Sequence, residues 1–292
     1  MLALLGPALH NALATSAGTP PSGGGGSIQA SPAELRSLGT SDIKVSACCL
    51  GGMTWGNQNS LAEGALQLDM AMDFGVNFID TAEAYPVPIS PDTQGQTDVC
   101  IAKWMTESKV ARDKVVITTK VCGYNERYTW LRDSGEGTRL TKSQIHESVD
   151  KSLQRLRTDY IDVLQFHWPE RSVGLVRPTA LNVNADELTG VPLSKPRALG
   201  TEPIESQVEA IGELINAGKI RQWGLSNENA DGLRQFLAAC EATGVPKPVC
   251  VQNAYSLLQR TDEAEIAEIL MEENISYMPY SPLAGLPHAT LP

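Results

Sequence analysis

The sequence is short of positive charge: 23 Lys and Arg stand against 34 Asp and Glu, a formal net charge of −11. Binders of nucleic acid or anionic membrane carry a basic stripe or patch. The composition therefore argues against both kinds of partner and leaves room only for a local basic pocket. Metal-ligand spacing is missing as well. None of the six cysteines (Cys48, Cys49, Cys100, Cys122, Cys240 and Cys250) stands in a CxxC or Cys/His pattern, so no metal site is expected. They read as small buried hydrophobes of a reducing compartment. No apolar run approaches the ~18 residues of a helical membrane span. Residues 1–33 contain no Asp, Glu, Lys or Arg. With "GTPPSGGGGS" after an Ala/Leu-rich start, they read as a disordered N-terminal segment. Their Ala/Ser content makes them a candidate transit segment, although such segments are usually Arg-rich. Cytoplasm and plastid stay open as locations, and a secretory signal fits less well because a charged n-region is lacking.

From Glu34 onward, short β-branched or apolar runs alternate with longer amphipathic ones. "ELRSLGTSDIKVS" predicts a hairpin around Gly39 to Asp42. Strands are expected at Ala47–Leu50, Asn77–Ile79, Val115–Lys120, Ile161–Phe166, "RQWGLS", "VCVQN" and "ISYMPYS". Helices are expected at Leu61–Phe74, Thr97–Ser108, Lys142–Leu156, Ile204–Ala217, Ala230–Thr243 and Asp262–Glu273. Such repetition predicts parallel strands wrapped by helices through right-handed crossovers. A doubly wound sheet would carry a Gly-rich phosphate loop after its first strand, and "LGGMTWG" does not match GxGxxG. A (β/α)₈ TIM barrel of class α/β, with an N-terminal hairpin, fits better and gathers functional groups at the carboxyl ends of its strands. Residues 34–292 are read as this one barrel domain. The long connections from Cys122 to Leu140 and from Trp168 to about Thr201 both follow strands, so both are expected over the mouth as lids or binding walls. A seventh helix, an eighth strand and an eighth helix are missing after "YMPYSPLAGLPHATLP", and the barrel is expected to be truncated after its seventh strand.

Four polar residues mark successive strand ends. Asp80 closes one strand, Lys120 the next, His167 follows the third, and Tyr85 lies in the loop after Asp80. Each alone has an ordinary reading: a loop cap, a solvated terminus, a structural imidazole, a packed ring. Together they form a chemical set. An ammonium held by a carboxylate would lower the phenol's pKa from ~10 so that it serves as a general acid. A neighbouring imidazole can orient a carbonyl oxygen and share its developing charge.

The motifs "GGMTWG", "GVNFIDTAEAYP", "ITTKV", "RLRTDYIDVLQFHWP", "AGKIRQWGLSNE", "VQNAYSLLQR" and "YSPLAG" occur in this order. On these, the chain between about Glu34 and Leu286 resembles the aldo-keto reductases. "AYPVPISPDTQGQTD" and "TDYIDVLQFHWPERS" make it most similar to the bacterial Tas-type reductases and their plant and algal relatives. The resemblance implies a catalytic tetrad of Asp80, Tyr85, Lys120 and His167, with NADPH giving a hydride to the carbonyl carbon of a small aldehyde or ketone, NADP+ being its oxidised form, and Tyr85 giving the proton. It places cofactor contacts on Ser226, Asn227 and Gln252, of which Asn227 and Gln252 each offer a donor and an acceptor to a carboxamide. Tyr280 becomes the ring that stacks on the nicotinamide. Ser281, Pro282 and Leu283 begin a pyrophosphate-side loop, and Met53, Thr54 and Asp80 complete the cofactor set. Trp55 and Trp168, with Tyr85 and His167, are expected to line the substrate pocket, packing being the plain alternative for the two tryptophans. The family's grip on the adenosine 2′-phosphate comes from its eighth strand and the helix after it, which lie beyond this chain's motifs. A truncated, weakly active or inactive isoform or a binding subunit is therefore the alternative reading. A sugar-phosphate barrel enzyme is weaker, because its phosphate site would need the eighth strand.

Overall fold

A computed structural model describes residues 34–171 and 201–284. The expectations for residues 1–33, and for most of the connection from Trp168 to Thr201, lie outside the described residues. Strands β1 (Leu35–Ser37) and β2 (Lys44–Ser46) form the antiparallel hairpin. Seven parallel strands follow in chain order: β3 (Cys49–Gly51), β4 (Phe78–Asp80), β5 (Val116–Val121), β6 (Ile161–Phe166), β7 (Ile220–Ser226), β8 (Cys250–Gln252) and β9 (Ser276–Tyr277). Between them run α1 (Leu61–Asp73), α2 (Gln96–Glu107), α3 (Lys142–Leu156), α4 (Ile204–Asn216) and α5 (Ala230–Thr243).

Local chemistry explains the helix starts. Ser60 and Glu63 form a reciprocal capping box at α1. Thr141 caps α3 and Asn229 caps α5 through side-chain acceptors. The helix expected over Asp262–Glu273 is instead broken into α6 (Asp262–Glu265) and α7 (Ala267–Glu272). At the break, Ile266 stays in the right-handed region with φ stretched to −116°, and its side chain is buried in the core. The last strand is shorter than expected, but its ladder runs on. Met278 and Tyr280 donate their N–H groups to Val251 and Asn253. Pro279 falls between them, and among the described residues it sits at the edge of the sheet, where its N faces away from β8 and needs no partner there.

The sheet is curled. Gln252 on β8 donates to Asp80 on β4 at 3.0 Å, although β5, β6 and β7 lie between them. In a flat sheet four strand spacings would separate the two by roughly 19 Å. The architecture is thus α/β and TIM-barrel-like, with seven parallel strands among the described residues.

Alternation along each strand sorts the side chains. Ile79, Ile117, Leu164, Leu225 and Val251 face the helices in one large core. The opposite row faces the interior. At its lower end Phe78, Val116, Val163, Cys250 and Met278 pack on Leu38, Ile43 and Val45 of the hairpin, which plugs that end. At its upper end the same row delivers Asp80, Lys120, His167, Ser226, Gln252 and Tyr280.

Candidate active site

Register brings these residues together. Lys120 lies opposite Gln165, two residues before His167, and Ser226 lies opposite Gln252. The ladder between β4 and β5 continues beyond β4, with the amide of Thr81 on Thr118 O and that of Glu83 on Lys120 O. This carries the loop with Tyr85 over the end of β5.

The Lys120 ammonium donates to Asp80 Oδ2 at 2.5 Å, to the Thr81 carbonyl at 2.8 Å and to the Tyr85 hydroxyl at 3.4 Å. All three of its donors are used, and its side chain is fully buried. Burial is the largest single influence on Lys120 and lowers its pKa. The carboxylate of Asp80 and the oxygen of Tyr85 together outweigh it, so the ammonium is held above its ordinary range. Tyr85 and His167 meet edge to face with ring centroids 5.5 Å apart. Burial, aided by Lys120, pushes His167 well below its ordinary value of 6.5 and keeps the imidazole neutral. Its Nδ1 is buried without a protein partner.

The electrostatics of Tyr85 correct one expectation. Lys120 does pull the phenol down, but burial pushes it up more strongly and Asp80 adds to that, so the net shift is upward. A phenol above its ordinary pKa stays protonated across the neutral range. It can still donate to an oxygen that is becoming an alkoxide, a far stronger base than phenolate.

The second group is contiguous with the first. Ser226 donates to Gln252 O at 2.8 Å, and Gln252 Nε2 reaches Asp80. Asn227, in left-handed backbone geometry with φ 55°, donates to the His167 carbonyl at 2.8 Å and to Ser226 Oγ at 3.2 Å. Its Oδ1 accepts from the Tyr280 hydroxyl at 2.7 Å. Met53 is half-buried and ties to the Tyr85 loop through Val87 N. Thr54 is buried with its hydroxyl unpartnered. Ser281, Pro282 and Leu283 form a turn directly after Tyr280. Ser226, Asn227, Gln252 and Tyr280 therefore supply the donors, acceptors and ring that suit a carboxamide-bearing ring. Asn227 Oδ1, which accepts one bond from the Tyr280 hydroxyl, keeps a second lone pair for such a ligand.

The tryptophans divide. Trp55 does not reach the mouth: it is completely buried, its Nε1 donates to Gln67 at 2.9 Å, and it is wedged beside Gly52, Gly64 and Cys100 between sheet and helices. Packing is its role here, and the substrate-lining expectation for it fails. Trp168 lies on the His167 ring at 4.8 Å and donates to Tyr124 O at 3.2 Å. The connection from Cys122 to Leu140 is not a bare loop. It contains a 3₁₀ turn at Thr129–Leu131 and an antiparallel bridge from Asn125 to Thr138.

Sequence reasoning missed the supports. Thr81 Oγ1 donates to buried Asp98 at 2.7 Å, which Arg155 holds at 2.9 Å. Glu83 pairs with Arg132 inside the protein. An acid between Asp80 and Tyr85 was the available signal for the second. Among the described residues, no group of three or more His, Cys, Asp or Glu gathers as a metal site. No helix among them is long and apolar enough to cross a membrane.

Residues 47–287 match the aldo/keto reductase family, and the chain belongs to that family. It is 37% identical over 245 residues to the protein Tas of Escherichia coli K12, a match covering 82% of this chain and 65% of that protein. The chain thus spans just under two thirds of the length of this curated relative. An aldo-keto reductase of Babesia bovis is 41% identical over 180 residues, 59% of each chain. Among solved structures, the thermostable aldo-keto reductase Tm1743, crystallised with the inhibitor epalrestat, superposes with a TM-score of 0.60 at 24% identity, covering 86% of this chain and 73% of that one. That likeness speaks to the fold.

Proposed function

We propose that this protein is an NADPH-dependent reductase of small aldehydes and ketones. The observation that carries the reading is the convergence of Tyr85, the ammonium of Lys120 with its carboxylate Asp80, and the neutral imidazole of His167 at one end of the curled sheet. Reduced nicotinamide, when bound, supplies the hydride for the carbonyl carbon. Tyr85 and His167 offer two donors to one carbonyl oxygen, and Tyr85 surrenders its proton to that oxygen as negative charge develops there. Lys120, its charge held in place by Asp80, stabilises the phenolate left behind. His167, kept neutral by burial, orients the oxygen without adding a competing charge. Ser226, Asn227 and Gln252 would hold the carboxamide, Tyr280 would face the ring, and Trp168 would back the substrate side of His167. The choice of NADPH over NADH rests on the family resemblance.

The test is a titration of purified protein with NADPH and, in parallel, NADH, read as quenching of tryptophan fluorescence. A nitrobenzaldehyde is then added and loss of cofactor absorbance is followed. Quenching by NADPH with turnover supports the reading; no quenching and no turnover refute it and favour a catalytically silent member of the family. Residues 1–33 are proposed as a segment apart from the barrel domain. Their fusion to a fluorescent reporter distinguishes plastid targeting from a cytoplasmic protein.

A further inference from the structure

Glu83, a second acid between Asp80 and Tyr85, has no part in the proposed chemistry, yet it is more deeply enclosed than either. Its side chain is 2% exposed and that of Arg132 is fully buried. The pair is bidentate, with Nη1 to Oε2 at 2.7 Å and Nη2 to Oε1 at 2.9 Å. Arg132 is in turn fixed to α3, its Nε donating to Gln144 Oε1 at 2.9 Å. Burial pushes the Glu83 carboxyl up, but Arg132 and the amide of Cys122 outweigh it, and the group lies below the ordinary carboxylate range.

A buried ion pair is weak evidence for stability, because apolar residues of similar volume often serve the fold as well. Its other bonds point to what this one does. The main-chain amide of Glu83 donates to Lys120 O at 3.0 Å, and its carboxylate accepts from Cys122 N at 2.6 Å. These two bonds straddle Val121, whose carbonyl accepts the amide of His167 at 2.8 Å. Tyr85 follows two residues after Glu83, in a turn closed by its amide on Ala82 O. One residue thus holds the turn carrying Tyr85 against the strand end carrying Lys120, and that strand end holds His167. We propose that Glu83, locked by Arg132, is a positioning residue that fixes Tyr85, Lys120 and His167 relative to one another.

The inference rests on Tyr85 as proton donor, and its test separates the two ideas. A displacement of ~1 Å at a reacting group costs on the order of a hundredfold in rate. Glu83→Ala is therefore expected to lower kcat, per NADPH-binding molecule, by about tenfold to a hundredfold with KM changed less than about threefold. Glu83→Gln keeps an acceptor for the Cys122 amide and is expected to keep most of kcat. The readout independent of turnover is the ionisation of the Tyr85 phenol, followed by near-ultraviolet absorbance as the difference between each protein and its Tyr85→Phe counterpart. It moves upward in Glu83→Ala because the turn carrying Tyr85 is no longer held against the Lys120 ammonium, which stays on Asp80. Should Glu83→Ala fail to fold, Glu83→Leu with Arg132→Met removes the Glu83 carboxylate's bonds, and those of Arg132 to Gln144, without stranding a charge. A folded variant whose phenol titrates with the wild type overturns the proposal whatever its rate. An upward shift in a wild-type background that reduces no carbonyl keeps the positioning role and overturns the function instead.

Discussion

Replacing Lys120 with methionine keeps most of the side chain's volume and removes an ammonium bonded to Asp80, to the Thr81 carbonyl and to Tyr85. The carboxylate left behind is only 10% exposed and cannot trade its lost partner for bulk water, although Gln252 still donates to its other oxygen. Breaking a buried ion pair from one side costs ~3–5 kcal/mol, mostly for the charge left alone. In a domain of this size each kcal/mol moves Tm by ~2–4 °C, so Lys120→Met is expected to melt roughly 6–20 °C lower. Asp80→Asn strands the ammonium instead and should lose stability in the same range. The double variant strands nothing, so it should be more stable than the sum of the two losses allows by ~2 kcal/mol or more. Urea unfolding of all four proteins, followed by circular dichroism and compared at equal m-values, measures that coupling. Two losses that simply add, or a Lys120→Met loss below ~1 kcal/mol, would refute the argument that the two charges are held as one buried unit.

Two further outcomes follow from the geometry. Because burial holds His167 well below 6.5, the unfolded chain takes up a proton before the folded one does. Stability present above about pH 6.5 is then lost as pH falls, by up to ~1.4 kcal/mol per unit from this group. His167→Gln should lack that component, and identical slopes for both proteins in urea unfolding between about pH 7 and about pH 5 would contradict it. The Tyr280 hydroxyl competes with a carboxamide N–H for Asn227 Oδ1, and losing that bond costs ~1 kcal/mol, so Tyr280→Phe is expected to bind NADPH up to about fivefold tighter by fluorescence quenching; weaker binding would show that the hydroxyl assists instead.

Much of this fold was legible because its local signals agree with its topology. Ser60, Thr141 and Asn229 announce helix starts. The short apolar, β-branched character of runs such as "IDVLQF" marks a buried strand, and His167 follows its end directly. The candidate site was legible because Asp80, Lys120 and His167 end or directly follow successive strands, and strands of matched register carry those ends to one place. What alternation cannot supply is depth. Trp55 sits one turn past a strand end, just as Tyr85 follows Asp80 in a loop, yet Gly52 and Gly64 open a slot that takes its indole into the core. The break at Ile266 depends on a tertiary pocket for one side chain, which helical periodicity does not encode. The sign of the Tyr85 shift was missed because the sequence shows the charge of Lys120 but not the burial that outweighs it. Glu83 was passed over because its partner Arg132 lies 49 residues away, in a connection whose local pattern signals neither helix nor strand.

The central claim is that Tyr85 gives the proton. Its most direct test is single-turnover oxidation of bound NADPH on addition of a nitrobenzaldehyde, comparing the wild type with Tyr85→Phe at matched cofactor saturation. The account predicts that the variant folds and binds NADPH within about threefold of the wild type, while cofactor oxidation slows by ~10²-fold or more. Oxidation within about tenfold of the wild-type rate would contradict it.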